Sequence, residues 1–210
     1  MGTVQLDGYL LKYSPSKGKV KIGGRVYPVV QIGNQLWMAE NLDYKFDGLV
    51  VGQSGTSRDE NRANYYDNDE ATYGASGNKY GLLYNQIAAI YLNNNRQSLL
   101  PEGWRVPSKS DFNALENFIG SLNAAYIKSS TGWYDDGNGT DDFGFSLYPS
   151  GMYGSGGFEK LGTQGYLWSS YEYNTNSYSW YCTYDSDLFT YTNYYGASRQ
   201  MAIRLVKDAS

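Results

Sequence analysis

Apolar and β-branched residues crowd Val26–Ile32, the pair Gly33-Asn34 interrupts them, and Gln35–Ala39 resumes the apolar run. Two short β-prone runs around a Gly-Asn pair predict a hairpin with a tight turn. Ahead of it, residues 1–25 carry YLLKYS and the flexible SPSKGK, a pattern expected of an arm or linker. Asp43 to Tyr80 is polar, irregular and rich in both signs of charge, which predicts a long ordered insertion. Helical spacing then appears at Leu82, Leu83, Ile87, Ile90 and Tyr91 within Gly81–Leu92. A second helix is better marked. Pro107-Ser108 supplies an entry and N-cap, Asp111 completes a capping box, and Phe112, Leu115, Phe118 and Ile119 line one face until Gly120. Beyond Trp133 the chain is punctuated by glycine, with short strands expected about Phe143–Leu147 and Tyr166–Ser169 and a terminal strand at Met201–Val206. An early hairpin, one clear helix, many short strands and a last strand predict a loop-rich α+β domain over 26–208 whose chain ends meet in a sheet.

Composition narrows the function more than the fold. A chain of 210 residues with no composition break suits one domain. Its net charge of −4, without a Lys/Arg run, argues against nucleic acid and against an anionic membrane as partners. No apolar run is long enough to insert in a bilayer, and the first residues lack the apolar core of a signal peptide. Either a targeting segment has been removed or export uses another route, such as riding on a virion. There is no histidine, which removes the commonest general base and most transition-metal sites. The lone Cys182 has no partner for a disulfide and no visible activator as a nucleophile, so a packed, structural thiol is expected. No cofactor is expected, with a structural calcium left open at Asp135–Asp142 (DDGNGTDD). Alternate oxygen side chains suit a hard cation, but the spacing departs from an EF-hand and no distal Glu follows. The competing reading is a turn whose Asp and Asn side chains bond their own backbone. Carboxylate pairs such as Asp141-Asp142 or Asp67/Asp69 are candidates for glycoside hydrolysis only if their separation is right, which sequence does not give. The five tryptophans, Trp37, Trp104, Trp133, Trp168 and Trp180, are read as core, with Trp180 nearest to a surface role.

The most informative stretch is Tyr166–Gly196, which holds nine of the 23 tyrosines, separated mainly by Asn, Ser, Thr and Asp. From Leu161 to Ser198 there is no Lys or Arg. Tyrosine offers a large, stiff, amphipathic contact surface at low entropic cost, and small polar residues add adaptable hydrogen bonds. The pattern points to a binding face without catalysis. Its candidate contacts are Tyr171, Tyr173, Asn174, Asn176, Tyr178, Tyr181, Tyr184, Tyr191, Asn193, Tyr194 and Tyr195. Strand alternation requires some of them to point inward, and the register is open.

Five ordered pieces carry a family resemblance: IGNQLWMAENL, PEGWRVPSKSDFNALENFIG, STGWYDDGNGTDDFGFSLYPSG, LWSSYE and IRLVKD. Together they resemble the Fibrobacter succinogenes major paralogous domain, abundant in surface proteins of Bacteroidetes and Fibrobacter. The resemblance implies a C-type-lectin-like fold in the variant shared with formylglycine-generating enzymes, with N- and C-terminal strands paired and a long loop region building the ligand face. The paired catalytic cysteines of those enzymes are missing, as are the Glu-Pro-Asn, Gln-Pro-Asp and Trp-Asn-Asp elements of calcium-dependent lectins, so neither activity carries over. The segment 166–204 further resembles the variable region of proteins diversified by retroelements, where adenines of a template are randomised. Randomising the adenines of AAC or AAT codons gives Tyr, Asn, Ser, Thr, Asp, Cys, Phe and others but never Lys, Glu, Gln, Met or Trp. Under that resemblance Trp168, Glu172, Trp180, Gln200 and Met201 are fixed scaffold. The expected function is a variable display protein that binds a protein or glycan on a cell surface, placed on a cell exterior or a phage tail. A carbohydrate-binding or carbohydrate-active domain is the alternative, and a purely structural surface module a third. Ligand identity and oligomeric state are not legible.

Overall fold

The computed structural model describes residues 2–6, 9–52, 59–74, 79–173, 176–193 and 196–209, with side chains from residue 18 onward except at 172, 173, 176 and 177. The first strands, β1 (Gly2–Leu6), β2 (Tyr9–Ile22), β3 (Arg25–Ile32) and β4 (Gln35–Met38), run as an antiparallel series. The turn between β3 and β4 is made by Gly33 at φ 58°, a left-handed conformation that glycine adopts without a Cβ penalty. Residues 1–25, expected as an arm, thus contain two strands that continue the sheet, and Val20 and Ile22 are buried in the core.

The stretch 43–80 holds the short strands β5 (Val50–Val51) and β6 (Arg62–Asn64) and the single-turn helix α1 (Glu70–Tyr73), with 53–58 and 75–78 outside the described residues. Where helical spacing was expected from Gly81, the chain first makes strand β7 (Leu83–Asn85). Helix α2 (Gln86–Asn94) begins only after the Asn85 side chain accepts a hydrogen bond from Ala88 N, and the short α3 (Arg96–Leu99) follows. The cap, not the apolar period, sets that boundary.

Helix α4 (Lys109–Ile119) starts as its sequence predicts. Ser108 accepts from the Asp111 amide, Asp111 accepts from the Ser108 amide, and Gly120 closes the helix at φ 79°. Asp111 is also a tertiary hub, accepting from Arg105 at 2.6 and 3.2 Å and from Gln35 Nε2 at 3.2 Å. Burial pushes its carboxyl up, but the Arg105 guanidinium and the Ser108 donors outweigh burial and hold it below the usual carboxylate range.

The rest of the chain forms β8 (Ser150–Gly154), β9 (Gly157–Leu161), β10 (Gln164–Tyr173), β11 (Asn176–Thr183), β12 (Thr190–Thr192), β13 (Gln200–Met201) and β14 (Val206–Asp208). Two sheets result, one in the order β1-β2-β3-β4-β14, the other β12-β11-β10-β8-β13-β7-β6-β5 with β9 paired to β8. The terminal strand expected at Met201–Val206 is instead two: β13 lies in the second sheet and β14 pairs with β4 in the first, Val206 opposite Trp37 and Asp208 opposite Gln35. The chain ends do meet in a sheet, one strand later than expected. Phe143–Leu147 is not a strand. Phe143, Phe145 and Leu147 are each fully buried, but their backbone bonds to the loop at Tyr126 and Ile127.

Apolar residues cover both faces of the second sheet. Ala88, Ala89 and Leu92 of α2 share one cluster with Tyr166, Trp168 and Met201. Phe112, Leu115 and Ile119 of α4 share the other with Leu167, Trp180 and Cys182. Successive residues of a strand point to opposite faces, so β10 and β11 feed both cores at once.

Candidate functional site

On β11 the even positions Tyr178, Trp180 and Cys182 turn toward α4, while Tyr181 turns to the other face and stacks on Tyr166 at 5.4 Å between centroids. β12 places Tyr191 directly opposite Trp180. The register of β10 against β11 shifts between Trp168 and Glu172, and within that irregularity Ser170 donates to the Pro107 carbonyl through its amide at 2.7 Å and its hydroxyl at 3.2 Å. A bulge of this kind re-aims the side chains that follow it. Here it brings Tyr171 beside the N-terminus of α4.

The result is a run of rings from core to surface. Phe112 stacks on Trp180 at 4.6 Å, Trp180 meets Tyr191 at 5.4 Å, Tyr191 meets Tyr178 at 5.6 Å, and Tyr178 meets Tyr171 edge-on at 5.1 Å. The inner end is sealed, with Phe112 and Trp180 fully buried. The outer end is open, Tyr191 being 45% and Tyr171 38% exposed. Asn193, also exposed, places Nδ2 3.5 Å from the Tyr178 hydroxyl. Lys109 Nζ lies over the Tyr171, Tyr178 and Tyr191 rings.

The sequence-derived candidates therefore separate. Tyr171, Tyr178, Tyr191 and Asn193 come together, though Tyr178 is largely buried and works as a support. Tyr181 sits on the opposite face, and Tyr184 lies at a turn against Tyr134, 5.5 Å away. The backbones of Tyr173 and Asn176 pair across the β10–β11 ladder. Asn174, Tyr194 and Tyr195 lie outside the described residues. Lys109 was not among the candidates. Its signal was its position, a lysine as the first residue of a helix, where the dipole favours a negative side chain.

Around Tyr184 is an open cleft of about 290 Å³ lined by Asp135, Asp136, Asn138, Asp185, Asp187 and Lys128. Lys128 is buried, donates to the Thr183 and Tyr184 carbonyls at 3.1 and 3.3 Å, and has its ammonium pushed down by burial. In the acidic run itself, Asn138 Oδ1 accepts from Trp133 N at 3.0 Å and Asp141 accepts from both the amide and the hydroxyl of Ser146. These are turn-type bonds to nearby backbone. Among the described residues no cluster of three or more His, Cys, Asp or Glu is arranged to hold a metal. Cys182 is fully buried, and burial pushes its thiol well above the ordinary range. A third feature is a cleft of about 280 Å³ bordered by Tyr80, Thr131, Gly132 and Tyr148. Among the described residues no helix is long and apolar enough to cross a membrane.

No curated protein and no solved structure matches the chain. The family described as the Fibrobacter succinogenes major domain matches residues 30–207, and the chain belongs to that family.

Proposed function

We propose that this member of the Fibrobacter succinogenes major domain family is a ligand-binding display protein without catalysis, built on a C-type-lectin-like fold. In this reading its Tyr/Asn/Ser-rich segment, about 166–204, is diversified by a retroelement and binds a protein or cell-surface ligand from a bacterial surface or a phage tail. The observation that carries it is the alternation of two layers on the same strands. Tyr171, Tyr191 and Asn193 are exposed, while Trp168, Trp180, Gln200 and Met201 on the same or neighbouring strands are fully buried. Exposed rings exchange at small cost to stability, within about 0.5 kcal/mol at sites away from special features, yet aromatic residues dominate binding hot spots. The return of β14 to β4, with a long loop-rich stretch between, supports the lectin-like assignment. A thiol as inaccessible as Cys182 and carboxylates engaged like Asp111 and Asp141 support binding over chemistry. The neighbouring DNA tests the diversification. The reading expects a near-copy of the 166–204 coding segment, differing at adenines, beside a reverse transcriptase, and a locus without either removes it.

A carbohydrate reading draws on the cleft lined by Tyr80, Thr131, Gly132 and Tyr148, in which the Tyr80 and Tyr148 rings touch each other at 5.7 Å and 40° from parallel. Sugar faces stack on such rings. A glycan array separates the two: binding lost in Tyr148→Ala but kept in Tyr191→Ala favours the sugar cleft, and the reverse favours the tyrosine face.

A further inference from the structure

Lys109 is the first residue of α4, an end of the helix at which a positive side chain is disfavoured. Its ammonium enters no salt bridge among the described residues. It stands 5.1 Å from the Tyr178 ring centroid, 5.3 Å from Tyr191 and 5.9 Å from Tyr171, each within the reach of a cation–π contact. The three rings come from the three adjacent strands β10, β11 and β12 and touch one another in sequence. Beneath them the Trp180–Phe112 stack is fully buried, and the Ser170 bonds to Pro107 tie β10 to the start of α4. A flexible lysine at a partly exposed helix start ordinarily extends into water, because its ammonium is strongly hydrated.

We infer that Tyr171, Tyr178 and Tyr191 form a cation-accepting aromatic cage, occupied by Lys109 in the free protein and surrendered to a lysine or arginine side chain of a protein partner. The inference rests on the reading of this face as the binding face. Among the described residues Lys109 has no carboxylate partner, so its departure strands no buried anion there. The segment that carries all three rings is net negative, since 161–198 contains Glu172, Asp185 and Asp187 but no Lys or Arg, with Asp185 and Asp187 lining the separate cleft at Tyr184, and this charge balance favours a cationic partner. A tethered competitor of this kind acts at an effective concentration of the order of millimolar, and a free cation sees only the open fraction of cages. Lys109 therefore sets a threshold that weak, single cations fail to pass and that a partner making further contacts to Tyr171, Tyr191 and Asn193 does pass.

Tetramethylammonium chloride, titrated at constant ionic strength against sodium chloride and followed by ring-proton NMR of Tyr171 and Tyr191, is the test. Lys109→Gln is expected to show saturable shifts at concentrations about tenfold lower than the native protein requires. Those shifts should vanish in Lys109→Gln/Tyr191→Ala and in Lys109→Gln/Tyr171→Ala, both at exposed positions. Equal responses in native protein and Lys109→Gln overturn the inference, as do shifts that survive both tyrosine truncations. The outcome is separable from the function above. A retroelement template with no cation binding by Lys109→Gln removes the cage and leaves the display reading. Saturable binding at a locus without template or reverse transcriptase leaves the cage and removes diversification.

Discussion

The Trp180 indole lies on the Phe112 ring with centroids 4.6 Å apart and planes 9° from parallel, joining the middle strand of the tyrosine face to α4. Offset stacking adds to the burial energy of each ring. The pair is the floor on which Tyr191 and Tyr178 rest.

Truncating either ring removes that floor. Trp180→Ala and Phe112→Ala are each expected to cost about 3–5 kcal/mol, and the double variant should cost less than the sum, because the two share one contact. Urea unfolding checks both statements. Tyr191→Ala on the same equipment should lose less than about 1 kcal/mol.

Natural variation should follow the same division. Deep sequencing of the locus in a population is expected to find substitutions at Tyr171, Tyr191 and Asn193 and to spare Trp168, Trp180, Gln200 and Met201. Glu172 should be spared as well. Changes at Trp180 as frequent as those at Tyr191 would remove the diversification reading.

Asp111 should make stability depend on acid. Its folded carboxyl titrates below its unfolded value of about 3.9, so its contribution is present in full above that value and is lost as pH falls through the folded pKa. Asp111→Asn is expected to cost about 3 kcal/mol at neutral pH, as for a broken buried pair. The gap to the native protein should narrow in melts taken below pH 4. A constant gap down to acid would show that the carboxylate charge is not what Arg105 holds.

Cys182 should be silent toward thiol reagents. At pH 8 the folded protein is expected to release no chromophore from an aromatic disulfide, and one equivalent after denaturant is added, since burial both shields the sulfur and disfavours its thiolate. Reaction in the folded state would make this sulfur a candidate nucleophile.

The parts legible in the sequence are those with local causes. Gly33-Asn34 fixes the β3–β4 turn, and Ser108, Asp111 and Gly120 fix both ends of α4 within a few residues of each. Parts decided by distant partners were misread. Phe143, Phe145 and Leu147 alternate as a strand would and are buried in one cluster with α4, β4, β10 and β11, but the amides of Phe143 and Leu147 bond to Tyr126 and Ile127, and among the described residues no strand ladder forms there. Met201–Val206 alternates too, yet its backbone passes from one sheet to the other through a segment in which Arg204 is fully buried. That guanidinium donates to Asn41 at 2.9 Å and to the carbonyls of Phe145 and Ser146, contacts 58 or more residues away in sequence. At the tyrosine face, composition pointed to the segment that forms β10, β11 and β12. Which tyrosines cluster was decided by the β10 bulge and by Lys109, and neither is visible in a count of rings.

Pairing of β14 with β4 has a consequence for how this protein comes into being. Gln35 is synthesised well before its partner Asp208, so one edge of β4 stays bare until the residues between them have been made. Contacts this distant in sequence slow folding, and exposed strand edges recruit other chains. The Trp37 side of that edge, apolar and ready to pair, is a place where a half-made molecule is open to aggregation. Production yield should therefore depend on what shields β4 during synthesis, and not only on the stability of the finished domain.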